Sequence, residues 1–301
     1  MPTEQRMREF VVTDAAGSTL GSIVEQLAPG DPQAIEQGRV FVEKQRVKDP
    51  QFRAEPGARV TWYLPRLVSA DADDVAFSIV ARRGDWVVAA KPSNWTCEPD
   101  RTGHSTSLRD TVAKELDVPQ AHVLTRLDVG VSGLVLLGLS HRVCSAAMKL
   151  QNQHLVTKEY FALLAGAPAA AETWNGPACD NREAKTQLRV LSEPCVVPAT
   201  RVNVSTTVSL VSVQPITGRK HQIRIHAAHH GYPLLGDGRY GGPTYLVKTD
   251  GSVLRIRRVM LHAYRLTIPW ESQTWTVACP APNDLVRLWS SLGGDANCLQ
   301  T

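Results

Sequence analysis

Hydrophobic and polar residues alternate along much of this chain in short runs, and the helical period appears at only a few places. Near the start, "STLGSIVEQLA" carries apolar residues at Leu20, Ile23, Val24 and Leu27. That spacing predicts a helix with Ser18 or Thr19 as its N-cap. After a "PGDP" turn, "RVFVEKQRVKD" and "ARVTWYLP" alternate and predict strands. These elements define a small unit over residues 1–66, followed by a polar, acidic linker, "LVSADADDV", at 67–75.

A second pattern fills residues 76–301. "FSIVARRGDWVVAAKP" predicts two strands about a turn at Arg83–Asp85, and "SLRDTVAKELD" (107–117) a short amphipathic helix. "SGLVLLGLS" (132–140) is a continuous apolar run, which predicts a strand buried on both faces. "HRVCSAAMKLQNQ" (141–153) has helical spacing at Val143, Ala147 and Leu150, and "TKEYFALLAG" (157–166) reads as a strand. "TQLRVLSE", "TTVSLVSVQP" and "LHAYRLTIPW" add three strands, and "GRKHQIRIHAAHHG" predicts a helix over 219–230 that Gly231 terminates. Many strands with a few helices, not strictly alternating, predict an α+β fold with a mixed or antiparallel sheet.

Composition narrows the class without naming an activity. The 43% hydrophobic and 21% charged content is that of a soluble globular protein. No apolar run is long enough to span a bilayer, so no membrane association is expected. The first residues, "MPTEQRMREF", lack the apolar core of a secretory signal. Six cysteines lie far apart with no CxxC pair, which argues against zinc ribbons and redox motifs and suits a reducing compartment. A cytoplasmic location is expected, with organelle or nucleus left open.

The net charge of +4 is modest but uneven. Residues 215–265 hold nine Lys and Arg against only Asp237 and Asp250. That balance fits a polyanionic partner or, equally, a solvated basic face.

Three places could carry chemistry. Asp128, in "TRLDVGVSGLVLL", sits against the apolar strand and needs a cationic or hydrogen-bonding partner if it is desolvated. Arg126 is near but shares a face with it only if the backbone is regular; otherwise Asp128 is a turn or capping residue. In the 219–230 helix, His221, Arg224, Ile225 and Ala228 share one side, with Gln222, His226 and His229 or His230 beside them. The histidines lack an HExxH pattern and a carboxylate, so no metal is expected. The Thr217–Gly218 turn would leave backbone N–H groups free to seat a phosphate. Tyr160, in "KEYFALL", either packs in the sheet or offers a stacking surface for a base.

Taken together, "TRLDVGVSGLVLL", "KEYFALLAG" and "TGRKHQIRIHAAHHGYPLLGDGRYGG" resemble, in order, the three signature motifs of the RluA-type pseudouridine synthases. "RRGDWVVAAKPSNW" is similar to that family's opening strand pair, and "VMLHAYRLTI" to its final core strand. Residues 34–63 resemble the strand–turn–strand half of an S4-type RNA-binding module, with Glu43-Lys44 where an Asn-Gly turn is usual. The resemblance implies a mixed, mostly antiparallel catalytic sheet with flanking helices, and an S4-like α+β module in front. It implies isomerisation of uridine in rRNA or tRNA to pseudouridine, without cofactor or metal; a monomer is expected, with the oligomeric state left open by the sequence.

Asp128 matches the family's essential aspartate, acting as nucleophile at C1′ or base at C2′. Arg224 matches its paired arginine, and Tyr160 the tyrosine that stacks on the target base. Arg126 matches the arginine that fills the space a flipped nucleotide leaves, and Leu235 an apolar position packed against the base. Arg219, Lys220, His221 and Gln222, with Arg39, Lys44 and Arg46 of the first unit, are the other expected RNA contacts. Thr125 and Val131 depart from the family's usual histidine and threonine, and Val129-Gly130 from a more polar pair. Two alternatives stand beside this reading: a non-catalytic RNA-binding or assembly factor that keeps the fold, and a carboxylate glycosidase, which normally needs a second acid.

Overall fold

A computed structural model describes residues 7–12, 19–27, 34–36, 38–63, 76–99, 106–197, 206–247 and 253–300. The expected linker at 67–75 lies outside the described residues. Two compact units divide the chain, Met1–Ser69 with Glu98–Ser107, and Ala70–Cys97 with Leu108–Thr301.

The first unit contains β1 (Met7–Val11), α1 (Leu20–Leu27), β2 (Val40–Val42), β3 (Gln45–Val47) and β4 (Arg59–Tyr63). Its strands form an antiparallel sheet in the order β1-β4-β2-β3. Leu20, Ile23 and Val24 of α1 pack with Val40, Val42, Val60 and Trp62 of the sheet. Thr19 caps α1, its Oγ1 accepting from the Ser22 N–H at 3.3 Å. The Glu43-Lys44 turn has φ of 47° and 72°, the left-handed pair that a two-residue hairpin requires. Glu43 compensates for its unfavourable φ by offering its carboxylate to the Arg59 N–H.

The second unit continues with β5 (Ser78–Arg83), β6 (Trp86–Lys91), α2 (Leu108–Glu115), β7 (His122–Val123), β8 (Ser132–Gly138) and α3 (His141–Asn152). Then come β9 (Thr157–Ala165), β10 (Ala171–Pro177), β11 (Glu183–Val190), β12 (Cys195–Val197) and β13 (Thr206–Pro215). The last group is α4 (Gln222–His229), β14 (Tyr245–Val247), β15 (Val253–Arg255), β16 (Leu261–Trp270), β17 (Gln273–Ala278) and α5 (Asn283–Ser291). Eleven strands form one sheet, ordered β10-β11-β13-β9-β16-β8-β6-β5, with β12, β17 and β7 pairing β13, β16 and β8 from the side. Among the described residues, only the β8–β16 pair is parallel. The sheet is therefore mixed and mostly antiparallel, as the α+β pattern predicts.

Both faces of the sheet are covered, as the continuous apolar run in β8 predicts. All seven residues of β8 are buried. Leu134 and Leu136 pack on one side with Leu266, Ile268 and Trp275. Val135 and Leu137 pack on the other with Leu108 and Val112 of α2. At β9 the alternation places Tyr160, Ala162 and Leu164 under α4, and Phe161 and Leu163 toward Leu285 and Trp289 of α5.

Gly133 makes the parallel contact possible: at its φ of 115° an added Cβ would lie 2.3 Å from the Ala263 carbonyl oxygen. No helix among the described residues is long and apolar enough to cross a membrane.

Candidate active site

Asp128 stands in a turn leading into β8, its carbonyl accepting from the Val131 N–H at 3.0 Å. Contacts from Thr125, Cys97 and Val131 hold this turn. Thr125 donates its N–H to the Leu136 carbonyl, and its buried Oγ1 accepts from the Leu136 N–H at 3.0 Å. The Sγ of Cys97 accepts from the Leu127 N–H at 3.2 Å. Val131 is buried in the cluster that contains Tyr160. Thr125 and Val131, the two departures from the family pattern, thus anchor the turn to the sheet from within.

Arg224 reaches Asp128 from the first turn of α4. Its Nη1 donates to Asp128 Oδ2 at 2.9 Å. Its Nε and Nη2 donate to the two carboxylate oxygens of Asp237 at 2.7 and 2.8 Å. The two acids differ in solvation: the Asp128 side chain is 26% exposed and that of Asp237 is 1% exposed. Asp237 fixes the guanidinium from the buried side, and Arg224 presents its remaining N–H to the carboxylate at the surface. Burial alone would lower the Arg224 pKa, but hydrogen bonds and charge from Asp237 and Asp128 outweigh it and hold the group well above its ordinary value.

Two aromatic groups complete the surroundings. Tyr240 lies 5.1 Å, ring centroid to guanidinium carbon, beneath Arg224. Its hydroxyl is 2.7 Å from His221 Nδ1, and His221 Nε2 lies 3.6 Å from Asp128 Oδ1. Burial lowers the His221 pKa; Asp128 opposes this, and Arg224, Arg239 and Lys220 reinforce it. Tyr160 is buried, and burial first and the Asp128 charge second push its phenol far up, so it stays protonated.

The structure brings together Asp128, Arg224 and His221, with Tyr160 on the same face of the sheet, and corrects several other expectations. The helix begins at Gln222, three residues later than predicted, because His221 adopts a left-handed φ of 55°. Gln222 is buried, not surface-facing. Its Oε1 accepts from the Thr217 hydroxyl and the Arg219 N–H, which occupies the expected phosphate seat. Its Nε2 donates to the Lys185 carbonyl and Thr186 Oγ1, so it ties α4 to β11.

His226, also buried, binds the same hydroxyl of Thr186 at 2.8 Å. Leu235 is fully buried with Phe161 and Leu163, on the face away from Tyr160; Leu234 is the neighbour that packs in the Tyr160 cluster. Arg39 is fully buried in the first unit and donates to the Tyr63 carbonyl, so it offers no surface to a ligand. Arg126, Lys220, Lys44 and Arg46 are exposed, and Arg219 is half-buried.

Asp237, absent from the candidates drawn from sequence, is the residue that reasoning missed. The signal was present in "PLLGDGRYGG". An added Cβ at Gly236 would meet the Arg258 carbonyl oxygen at 1.8 Å, and one at Gly242 the Leu234 carbonyl oxygen at 1.9 Å. Glycines that close on either side of an acid mark a tightly packed turn, and the acid inside it is buried.

A family profile described as RNA pseudouridylate synthase matches residues 85–229. Among curated proteins, the chain is 27% identical to a ribosomal large subunit pseudouridine synthase D of Neisseria meningitidis serogroup B, over 96% of this chain and 83% of the relative. It is 26% identical to the protein of that name from Xanthomonas campestris pv. campestris, over 98% and 95%. Among solved structures, it aligns with human RNA pseudouridylate synthase domain containing 4 at a TM-score of 0.57 and 22% identity, over 72% of this chain and 93% of that one. That likeness supports the fold.

Proposed function

With this chain a member of the RNA pseudouridine synthase family, we propose that Asp128 is its catalytic carboxylate and that the substrate is a uridine in structured RNA. Large-subunit ribosomal RNA is the first candidate, since the relatives carry that name. The isomerisation breaks the N1–C1′ bond and joins C5 to C1′; C5 loses a proton and N1 gains one, so the atoms balance without an oxidant or cofactor. Within a helix the reacting carbons are stacked and inaccessible, so the nucleotide must turn out of the stack.

Arg224, donating to Asp128 Oδ2, holds that carboxylate oriented toward the ribose. Tyr160, held as the neutral phenol, gives the base an apolar, stacking wall. In this reading Arg126, exposed beside the turn, fills the space the nucleotide leaves. Lys44 and Arg46, exposed on the hairpin of the first unit, add a second RNA surface. A monomer working in the cytoplasm, with no metal, completes this reading.

The observation that carries it is the arginine shared by a buried and a solvent-facing carboxylate. A purely structural ion pair needs one acid, and the second, at the surface, is free to act. Release of tritium from RNA containing 5-tritiated uridine tests it. The wild-type protein releases tritium from large-subunit ribosomal RNA and Asp128→Asn does not. No release by the wild type from any cellular RNA fraction would sink the reading and leave a non-catalytic RNA-binding factor in its place.

A further inference from the structure

His221 is held in place by features that a surface contact with RNA does not require. It precedes α4 with a left-handed φ of 55°, a conformation that residues bearing a Cβ adopt at a cost and that collects at functional sites. It occupies the N-cap position, yet its side chain makes no capping bond. The imidazole turns inward instead, and the side chain is only 9% exposed. Its two ring nitrogens meet different groups. Nδ1 is 2.7 Å from the Tyr240 hydroxyl, and Nε2 is 3.6 Å from Asp128 Oδ1. Arg224 Nη1 takes the other carboxylate oxygen, Oδ2.

These neighbours select one tautomer. An imidazole with its proton on Nδ1 would aim a lone pair at the carboxylate oxygen. With the proton on Nε2 the ring aims a donor at that oxygen, and Nδ1 accepts from the tyrosine hydroxyl. Burial raises the Tyr240 phenol, so its hydroxyl stays protonated and can donate. Burial lowers the His221 pKa, Arg224, Arg239 and Lys220 add to the fall, and Asp128 opposes it, so the ring is neutral at pH 7. Tyr240 also sets its ring 5.1 Å from the Arg224 guanidinium carbon. One tyrosine therefore touches both groups that face Asp128, Arg224 through its ring and His221 through its hydroxyl.

We propose that His221 is a positioning residue for the reaction: its Nε2–H steers Asp128 Oδ1 while Arg224 holds Oδ2, and the Tyr240 hydroxyl sets the tautomer. The 3.6 Å separation is longer than a hydrogen bond. It shortens when bound substrate excludes water, as such contacts do on forming the reactive complex. A donor on each oxygen fixes the plane of the carboxylate, so the reacting lone pair points in one direction. A second proton on the ring ends the bond from Tyr240 and sets a full positive charge against the oxygen that must react. The inference deepens the reading of Asp128 as the catalytic carboxylate and rests on it.

Two measurements on the full chain test it. Nitrogen-15 labelling of the histidines reports the tautomer by NMR without any turnover, and the signal missing from His221→Gln identifies residue 221. That signal shows a neutral ring with its proton on Nε2 at pH 7, and Tyr240→Phe mixes the tautomers. A proton on Nδ1, or a charged ring at pH 7, would overturn the inference whether or not the protein is active. Tritium release from large-subunit ribosomal RNA supplies the kinetics. His221→Asn accepts the left-handed φ but is too short to reach Asp128. It lowers kcat about a hundredfold, the cost of a misplaced reacting group, with KM little changed. His221→Gln, a neutral donor of longer reach, recovers part of that loss. Wild-type kcat declines as pH falls through the His221 pKa, below 6.5, and His221→Gln lacks this acid limb. A raised KM with kcat intact would make His221 an RNA contact only, and an acid limb that survives in His221→Gln would equally overturn the positioning role. No release by the wild type sinks the reading of Asp128, and the positioning role with it, whatever the tautomer.

Discussion

Arg224 serves two carboxylates, and the structure predicts that they are not equivalent. Asp237→Asn removes a charge from a site that is 1% exposed, where two hydrogen bonds of 2.7 and 2.8 Å converge. Asparagine keeps one acceptor but turns an NH2 toward the guanidinium. Breaking a buried ion pair costs about 3–5 kcal/mol when the surviving charge is left alone. Asp128 still compensates Arg224, so the lower end, about 3 kcal/mol, applies. In a domain of this size that lowers the melting temperature by about 6–12 °C.

Asp128→Asn removes a single 2.9 Å bond from a side chain that is 26% exposed. A pair so close to solvent contributes about 0.2–1 kcal/mol, so the melting temperature should move by less than about 4 °C. Circular dichroism melts of the two variants, with tritium release measured well below both transitions, make the comparison. The expected result is a crossed one: Asp128→Asn is stable and inactive, and Asp237→Asn is unstable and retains residual activity. Equal destabilisation, or a larger drop for Asp128→Asn, would refute the division into anchor and catalyst.

Three further outcomes follow from the packing. Gly133→Ala should yield no folded protein, because its Cβ would overlap the backbone of Ala263; soluble protein with a native melt would contradict the β8–β16 contact. Tyr160→Phe should retain more tritium release than Asp128→Asn, since the ring keeps stacking without its hydroxyl; equal losses would reassign Tyr160. His262 is fully buried, with Nδ1 2.9 Å from Ser132 Oγ, and burial pulls its pKa from 6.5 down to about 3. Its neutral form is the folded one, so its stabilising contribution is complete above pH 6.5 and declines as pH falls toward 3, by about 1.4 kcal/mol per unit. Urea unfolding at pH 7.5 and 5 should therefore differ by about 2 kcal/mol more in the wild type than in His262→Gln; the same difference in both would place the pH dependence elsewhere.

Much of the fold was legible because its strands have strong local signatures. The apolar run 132–140 reads as a strand covered on both sides, and residues 132–138 form one; Leu139 and Ser140 lie beyond its end. The alternation in "KEYFALL" separates Tyr160 from Phe161 by face, as it must. β10, "AETWNGP", escaped notice because only Trp174 in its interior is buried and its other residues are polar or small. The pairing of Asp128 with Arg224 was legible only through resemblance. No local rule connects residues 96 apart. Leu235 and Gln222 were misread for a related reason. A period-2 or period-3.6 pattern says which residues share a face, but not which of two covered faces holds the ligand. Arg39 was counted as a surface cation from its charge alone, and only the fold shows it satisfied inside.

The single parallel contact among the described strands joins Ser132 and Gly133 to His262 and Ala263. During synthesis the Asp128 turn leaves the ribosome about a hundred residues ahead of Arg224 and further still ahead of β16. Until β16 arrives, β8 lacks its parallel partner at Ser132 and Gly133, and until Arg224 arrives Asp128 lacks its ion-pair partner. Completion of the site therefore coincides with closure of the sheet's centre, a late and non-local step. A nascent chain cannot complete this site before Arg224 and β16 have both emerged.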